Sequence, residues 1–138
     1  MKPGEAGVLP TLWAAADVTP SPTDTIADIE RAMVSDRLAC LVAEVNGYSV
    51  GSIIAAFDGW RGNIYRLAVH PDHRRRGIAR QLVHAADEVF ARWGVRRITA
   101  LVEKDHDSAV SFWAAVGYSH DIRMGRFVRD VPPGIVAV

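Results

Sequence analysis

The order of hydrophobic periods along these 138 residues predicts one α/β or α+β unit, in which three consecutive antiparallel strands lie between helical segments. Residues 25–35 and 78–93 carry apolar side chains at amphipathic-helix spacing. Between them, residues 40–69 switch to β-branched apolar runs separated by turn residues. A strand-like run and then a helix-like run follow Gly94.

Each element rests on particular residues. After a short N-terminal segment, TLWAAAD predicts a brief helix, and PSPT breaks the chain behind it. Thr25 and Asp28 form a capping pair, and Ile26, Ile29 and Met33 share one face, which predicts a helix over 25–35. Asn46-Gly47 between apolar runs is a hairpin signal, and Asp58-Gly59-Trp60-Arg61-Gly62 supplies a wider turn. Antiparallel strands are therefore expected near 40–46, 49–57 and 62–69. Pro71 ends the third of them. Ile78, Leu82, Ala85, Ala86, Val89, Phe90 and Trp93 then trace one face of a helix that Gly94 stops. VRRITALVE, residues 95–103, reads as a strand, SAVSFWAAVGY as a short helix closed by Gly117, and MGRFVRDV as a last strand. With no repeats, low-complexity tracts or linkers, a single domain over 1–138 is expected.

Charge and cysteine usage narrow the class. Sixteen basic residues balance sixteen acidic ones, so no net field draws the molecule to nucleic acid or to an anionic membrane. The single cysteine, Cys40, lies in CLVAEV and reads as a small buried hydrophobe in a reducing compartment. No apolar run approaches the roughly 20 residues of a membrane span, and MKPGEAG lacks the apolar segment of a signal peptide. The expectation is a cytoplasmic enzyme or binding domain, a monomer or homodimer, without nucleic-acid or membrane partners.

HPDHRRRGIARQL, residues 70–82, holds the most pointed chemistry. Gly77 stands where a turn becomes a helix, and the N–H groups of a helix's first turn have no intrahelical acceptors. The macrodipole adds positive potential there, and glycine lets an anion approach the main chain. Arg74, Arg75, Arg76 and Arg80 surround the spot with donors, which describes a phosphate or pyrophosphate cradle. It is neither a P-loop, since no Gly-Lys-Ser/Thr follows, nor a dinucleotide fingerprint, since G-x-G-x-x-G is missing. The alternative is a solvated basic turn.

RRRGIA, residues 74–79, resembles the Arg/Gln-x-x-Gly-x-Gly/Ala acetyl-CoA signature of the GCN5-related N-acetyltransferases (GNAT). IYRLAVHPDHRRRGIARQLV reproduces that family's strand, Pro turn, glycine turn and helix in order. SAVSFWAAVGY is similar to its A-x-x-x-aromatic-x-x-x-G-aromatic helix, so the resemblance runs from about Leu41 to Tyr118. It implies an α/β (α+β) GNAT fold, a central mixed and mostly antiparallel sheet flanked by helices, in which the strand before the glycine turn and the next one, here 95–103, splay apart as a parallel pair. It also implies acetyl-CoA as cosubstrate. The main chain of Leu67, Ala68 and Val69 would pair with the pantetheine arm. The N–H groups from Arg75 through Gly77, Ile78 and Ala79 to Arg80 would wrap the pyrophosphate.

The implied reaction is acetyl transfer by direct attack of a primary amine, carried by a small molecule or a protein. The alternative is a non-catalytic acyl-CoA-binding sensor or interaction module. An amine of pKa near about 10.4 must lose its proton before attack, and main-chain N–H groups around Leu67 to Val69 would polarise the thioester. The chain departs from its relatives at His106, where Asn is common, and at Trp113, where a Tyr protonates the thiolate. Indole is a donor only and cannot take that acid role. His106 would hydrogen-bond CoA and Trp113 would line the arm or pack in the core. Asn63 and Leu101 stand where relatives carry glutamate; of Glu103, at the end of the splayed strand, and Glu44, on the first hairpin strand, Glu103 is the candidate base, and deprotonation through water or desolvation alone is the alternative. Asp58, Trp60 and Arg61 form a rich hairpin turn that either lines the acceptor site or caps the core. His70 and His73 lack the further ligands of a zinc site, so no metal is expected.

Overall fold

The computed structural model describes residues 5–102 and 107–131. They belong to two compact units, residues 1–103 and 104–138. The first unit contains helices α1 (Val8–Ala15) and α2 (Ile26–Met33), strands β1 (Leu38–Val45), β2 (Tyr48–Phe57) and β3 (Gly62–Val69), helix α3 (Ile78–Trp93) and strand β4 (Ile98–Ala100). The second contains α4 (Asp107–Ala115).

The strands form one sheet in the order β1-β2-β3-β4, antiparallel between the first three and parallel between β3 and β4. The β1–β2 hairpin turns at Asn46 (φ 51°) and Gly47 (φ 82°), two left-handed residues whose twist matches the flanking strands. Thr25 caps α2 by accepting from the Asp28 N–H at 3.1 Å, and its hydroxyl donates to the Asp28 carboxylate at 2.8 Å.

Successive side chains of a strand face opposite sides of the sheet, and in β2 this separates the helices. Gly51 lies against Ile78 and Leu82 of α3, while Ser52 bonds Trp13 of α1. α3 buries Leu82, Val83, Ala86, Val89 and Phe90 on one face, and α1 contributes Leu9, Leu12 and Trp13 to a cluster with Ile29, Cys40 and Ala68 on the other. At Gly62 the approach of α3 is so close that a Cβ would stand 2.6 Å from Phe90 Cε1.

Two expectations change. Among the described residues, the strand expected over 95–103 pairs only at Ile98–Ala100, where β4 leaves β3 after three residue pairs. MGRFVRDV forms no strand: residues 124–131 have no ladder partner among the described residues, and Met124, Phe127, Val128 and Val131 are exposed rather than packed on a sheet.

Candidate functional site

The site begins with an irregularity in β3. Ser52 stands opposite Ala68, yet Ile54 stands opposite Tyr65, so Arg66 and Leu67 together face Ile53 alone. This is a β-bulge. Arg66 adopts a left-handed φ of 55°, which costs a residue with a Cβ about 1–2 kcal/mol. Its surroundings hold it there. The guanidinium donates to both carboxylate oxygens of Asp24, at 2.6 and 2.8 Å, and to the Thr19 carbonyl at 3.0 Å, and lies over the Trp13 ring at 5.2 Å. The Arg66 carbonyl accepts from the Ser52 hydroxyl at 2.9 Å, and that hydroxyl oxygen accepts from Trp13 Nε1 at 2.9 Å. With side chains only 20% and 22% exposed, Arg66 and Asp24 gain more from their pairing than a surface ion pair does.

Beyond the bulge, β3 loses its neighbour. Pairing with β4 covers Gly62, Asn63 and Ile64 only, so from Tyr65 to Val69 the β4 side of β3 has no strand partner among the described residues. The expected splayed pair is therefore present, and Leu67, Ala68 and Val69 lie along its open stretch. Unpaired main-chain N–H and C=O groups on such an edge can receive an extended, amide-bearing ligand as a further strand.

The open edge leads to the N-terminus of α3. His70–Pro71 leaves β3, a short 3₁₀ turn covers Pro71–His73, and Arg75 (φ 64°) and Gly77 (φ 77°) both turn left-handed before Ile78 starts the helix. Gly77 makes no side-chain cap, and the first helical bond of this turn runs from Gln81 N–H to Gly77 O at 3.0 Å. The N–H groups of Ile78, Ala79 and Arg80 are left without an intrahelical acceptor. Space within 4 Å of a Cβ built on Gly77 is empty. Three such N–H groups at one helix start can hold an anion with several oxygens, such as a diphosphate.

The arginines divide their work. Arg74 is engaged with the chain itself, donating to Val69 O at 3.3 Å and Ala16 O at 3.1 Å, which ties the turn to the ends of β3 and α1. Arg76 meets His73 Nδ1 at 3.5 Å. Arg75 and Arg80 make no ion pair among the described residues and are exposed beside the helix start. His70 Nδ1 accepts from the Asp72 N–H at 3.2 Å, a local turn bond.

Asp58, Trp60 and Arg61 turn the chain into the start of β3, at the opposite end of that strand from Gly77, and the β3–β4 paired segment separates them from the open edge. Asp58 Oδ1 accepts from the N–H groups of Arg61 (2.7 Å) and Trp60 (2.8 Å), which hold its carboxyl below its ordinary pKa. Trp60 is 73% exposed with the Arg61 guanidinium over its ring, so it does not cap the core. Trp113, in α4, packs edge-on against Phe112 and Tyr118 at ring-centre distances of 5.6 and 4.9 Å. Glu103 and His106 lie outside the described residues. Sequence reading passed over Trp13, Asp24, Ser52 and Arg66. The signal present was a serine and an arginine set within otherwise apolar strands, GSIIAAF and IYRLAV.

A mixed sheet with a splayed parallel pair, opening onto an uncapped helix N-terminus behind a glycine turn, defines a protein built to hold a long amide-bearing diphosphate, the chemistry of coenzyme A. The profile of the Acetyltransferase (GNAT) family matches residues 9–118, and the chain belongs to that family. It is an N-acetyltransferase, and acetyl-CoA is its cosubstrate. Over 108 residues it is 39% identical to the acetyltransferase ECA0875 of Pectobacterium atrosepticum, a match covering 78% of this chain and 77% of that protein. Among solved structures, it is similar to the aminoglycoside acetyltransferase HMB0005 from an uncultured soil metagenomic sample, with TM-score 0.66, 26% identity, and coverage of 96% of this chain and 94% of that one. The fold is also that of AAC(6')-Iy bound to a CoA–acetylneamine bisubstrate analogue, with TM-score 0.72, 21% identity, and coverage of 91% and 89%. Among the described residues, no helix is long and apolar enough to cross a membrane.

Proposed function

We propose that the chain acetylates a primary amine of a small molecule by direct transfer, with β3 and the start of α3 as the cosubstrate seat. Bound acetyl-CoA supplies an activated thioester and a thiolate leaving group. The N–H groups of Ile78, Ala79 and Arg80, with the guanidiniums of Arg75, Arg76 and Arg80, hold the diphosphate, and Gly77 leaves room for it. Arg74 contributes by fixing the turn. Leu67, Ala68 and Val69 offer their main chain to the pantetheine amides as a neighbouring strand. The Leu67 N–H donates to the thioester oxygen and stabilises the negative charge that grows there as the amine nitrogen attacks. The N–C bond forms as the C–S bond breaks. Glu103 is the proposed acceptor of the amine's proton, directly or through water, because an amine of pKa near about 10.4 is mostly protonated at neutral pH. Trp113 lines the pantetheine arm and His106 bonds it. Indole gives up no proton in this range, so the thiolate is protonated from solvent.

The observation that carries this reading is the open edge of β3, which runs from the bulge at Arg66 to the uncapped start of α3 without a strand neighbour among the described residues. The choice of a small-molecule acceptor draws on the structures similar in fold, several of which carry the name aminoglycoside acetyltransferase. The test is free-thiol release from acetyl-CoA in the presence of aminoglycosides, polyamines and N-terminal peptides, one at a time. Saturable thiol release with an amino sugar or polyamine supports the reading. Release only with peptides moves the acceptor to proteins, and tight CoA binding with no release from any amine would instead favour an acyl-CoA-binding module.

A further inference from the structure

Ser52 is 0% exposed and sits in β2, one strand away from the proposed seat of the thioester. Its bonding direction is fixed. Trp13 Nε1–H can only donate, so at 2.9 Å it uses the Ser52 oxygen as acceptor. The serine's own proton is thereby left for the Arg66 carbonyl, also at 2.9 Å. That carbonyl shares one rigid peptide plane with the Leu67 N–H, and in a trans peptide the two groups point in opposite directions. Pulling the carbonyl toward Ser52 therefore turns the Leu67 N–H away from β2, to the side that β4 has left.

We propose that Ser52 is a positioning residue for acetyl transfer: through the Arg66–Leu67 peptide, it aims the Leu67 N–H at the open edge where the thioester oxygen lies. The inference rests on the reading of Leu67 as the oxyanion donor. Regular strand pairing does not fix this plane, because the bulge leaves Arg66 and Leu67 to share one opposing residue and gives Arg66 a φ of 55°. Ser52 supplies by side chain the bond to the Arg66 carbonyl. The grip of Asp24, Thr19 and Trp13 on the Arg66 side chain stops the residue from relaxing out of the left-handed region. The bulge is thus clamped at its carbonyl from β2 and at its guanidinium from the segment between α1 and α2.

The test needs no acceptor. The protein is saturated with acetyl-CoA labelled with ¹³C at the thioester carbonyl, and the carbonyl resonance is compared with that of free acetyl-CoA. Hydrogen bonding moves it downfield. In the unaltered chain a downfield shift is expected. Ser52→Ala should lose roughly half or more of it, while the Kd for acetyl-CoA changes by less than about threefold, the remaining contacts being intact. Ser52→Cys keeps a weak donor and should fall between the two. Trp13→Phe, which frees the serine hydroxyl to rotate, should also reduce the shift, and these two variants carry the test if Ser52→Ala does not fold. A serine with a merely structural role would lower the melting temperature and leave the carbonyl resonance in place, and that result overturns the proposal. No downfield shift in the unaltered chain, with acetyl-CoA bound, refutes the Leu67 reading itself and the positioning role with it.

Discussion

One guanidinium nitrogen of Arg66 donates to both carboxylate oxygens of Asp24, at 2.6 and 2.8 Å, across 42 residues of sequence. The contact joins the loop ahead of α2 to the bulge of β3, and it holds a non-glycine residue in the left-handed region. Removing the carboxylate leaves the strain in place and takes away its compensation. Asp24→Ala should destabilise the protein by about 1–3 kcal/mol, read from the midpoint of urea unfolding. A double-mutant cycle with Arg66→Ala should return a coupling of about 1 kcal/mol or more. Simple additivity would mean that the pair is not what holds the bulge.

At Gly77 the prediction concerns binding rather than stability. A Cβ there would meet nothing within 4 Å beyond its chain neighbours, and the left-handed φ of 77° adds a strain of about 1–2 kcal/mol. Gly77→Trp should therefore fold, with a modestly lowered melting temperature, and should bind CoA about 100-fold more weakly or worse because indole fills the diphosphate seat. Calorimetric titration with CoA checks it, and unchanged affinity would remove α3 from the cosubstrate site.

Gly62 makes the opposite prediction. A Cβ there would lie 2.6 and 2.9 Å from ring carbons of Phe90 and 3.0 Å from Val95 Cγ1, and Phe90 is only 1% exposed with no room to move aside. Gly62→Ala should cost about 1–3 kcal/mol by overpacking. CoA affinity, measured below the melting transition, should remain as it was, since Gly62 lies at the paired end of β3.

What sequence could reveal about this fold follows from how local each cause is. Thr25–Asp28, Asn46-Gly47, Gly77 and Gly94 act on their own neighbours, so the helix starts, the hairpin and the anion seat are legible residue by residue. The parting of β4 from β3 after Ala100 is a pairing event between distant segments, and VRRITALVE carries strand propensity well past the point where pairing stops. The bulge is hidden for the same reason. Arg66 carries no turn-forming chemistry, and what holds it lies at Trp13, Asp24 and Ser52. MGRFVRDV misled in the other direction, since strand-favouring residues such as Phe127, Val128 and Val131 form a strand only where a neighbouring strand pairs with them, and none does among the described residues.

The DGWRG turn should make its stability contribution visible at acid pH. Asp58 accepts from two main-chain N–H groups, and these bonds, with Arg61 the larger influence and Trp60 next, favour its ionised form. The carboxyl's pKa in the folded chain therefore lies below its unfolded value, and the folded state binds the proton less readily than the unfolded one does. The resulting stabilisation is fully present above the ordinary carboxylate pKa of about 4 and is lost as pH falls through the lower folded value. Asp58→Asn keeps an acceptor oxygen for the turn but cannot titrate. Its melting temperature should fall less steeply than that of the unaltered chain as pH drops below about 4, and the two curves should run parallel at neutral pH. Equal acid slopes in thermal melts would mean that the turn's two hydrogen bonds do not distinguish the charged carboxylate from the neutral acid.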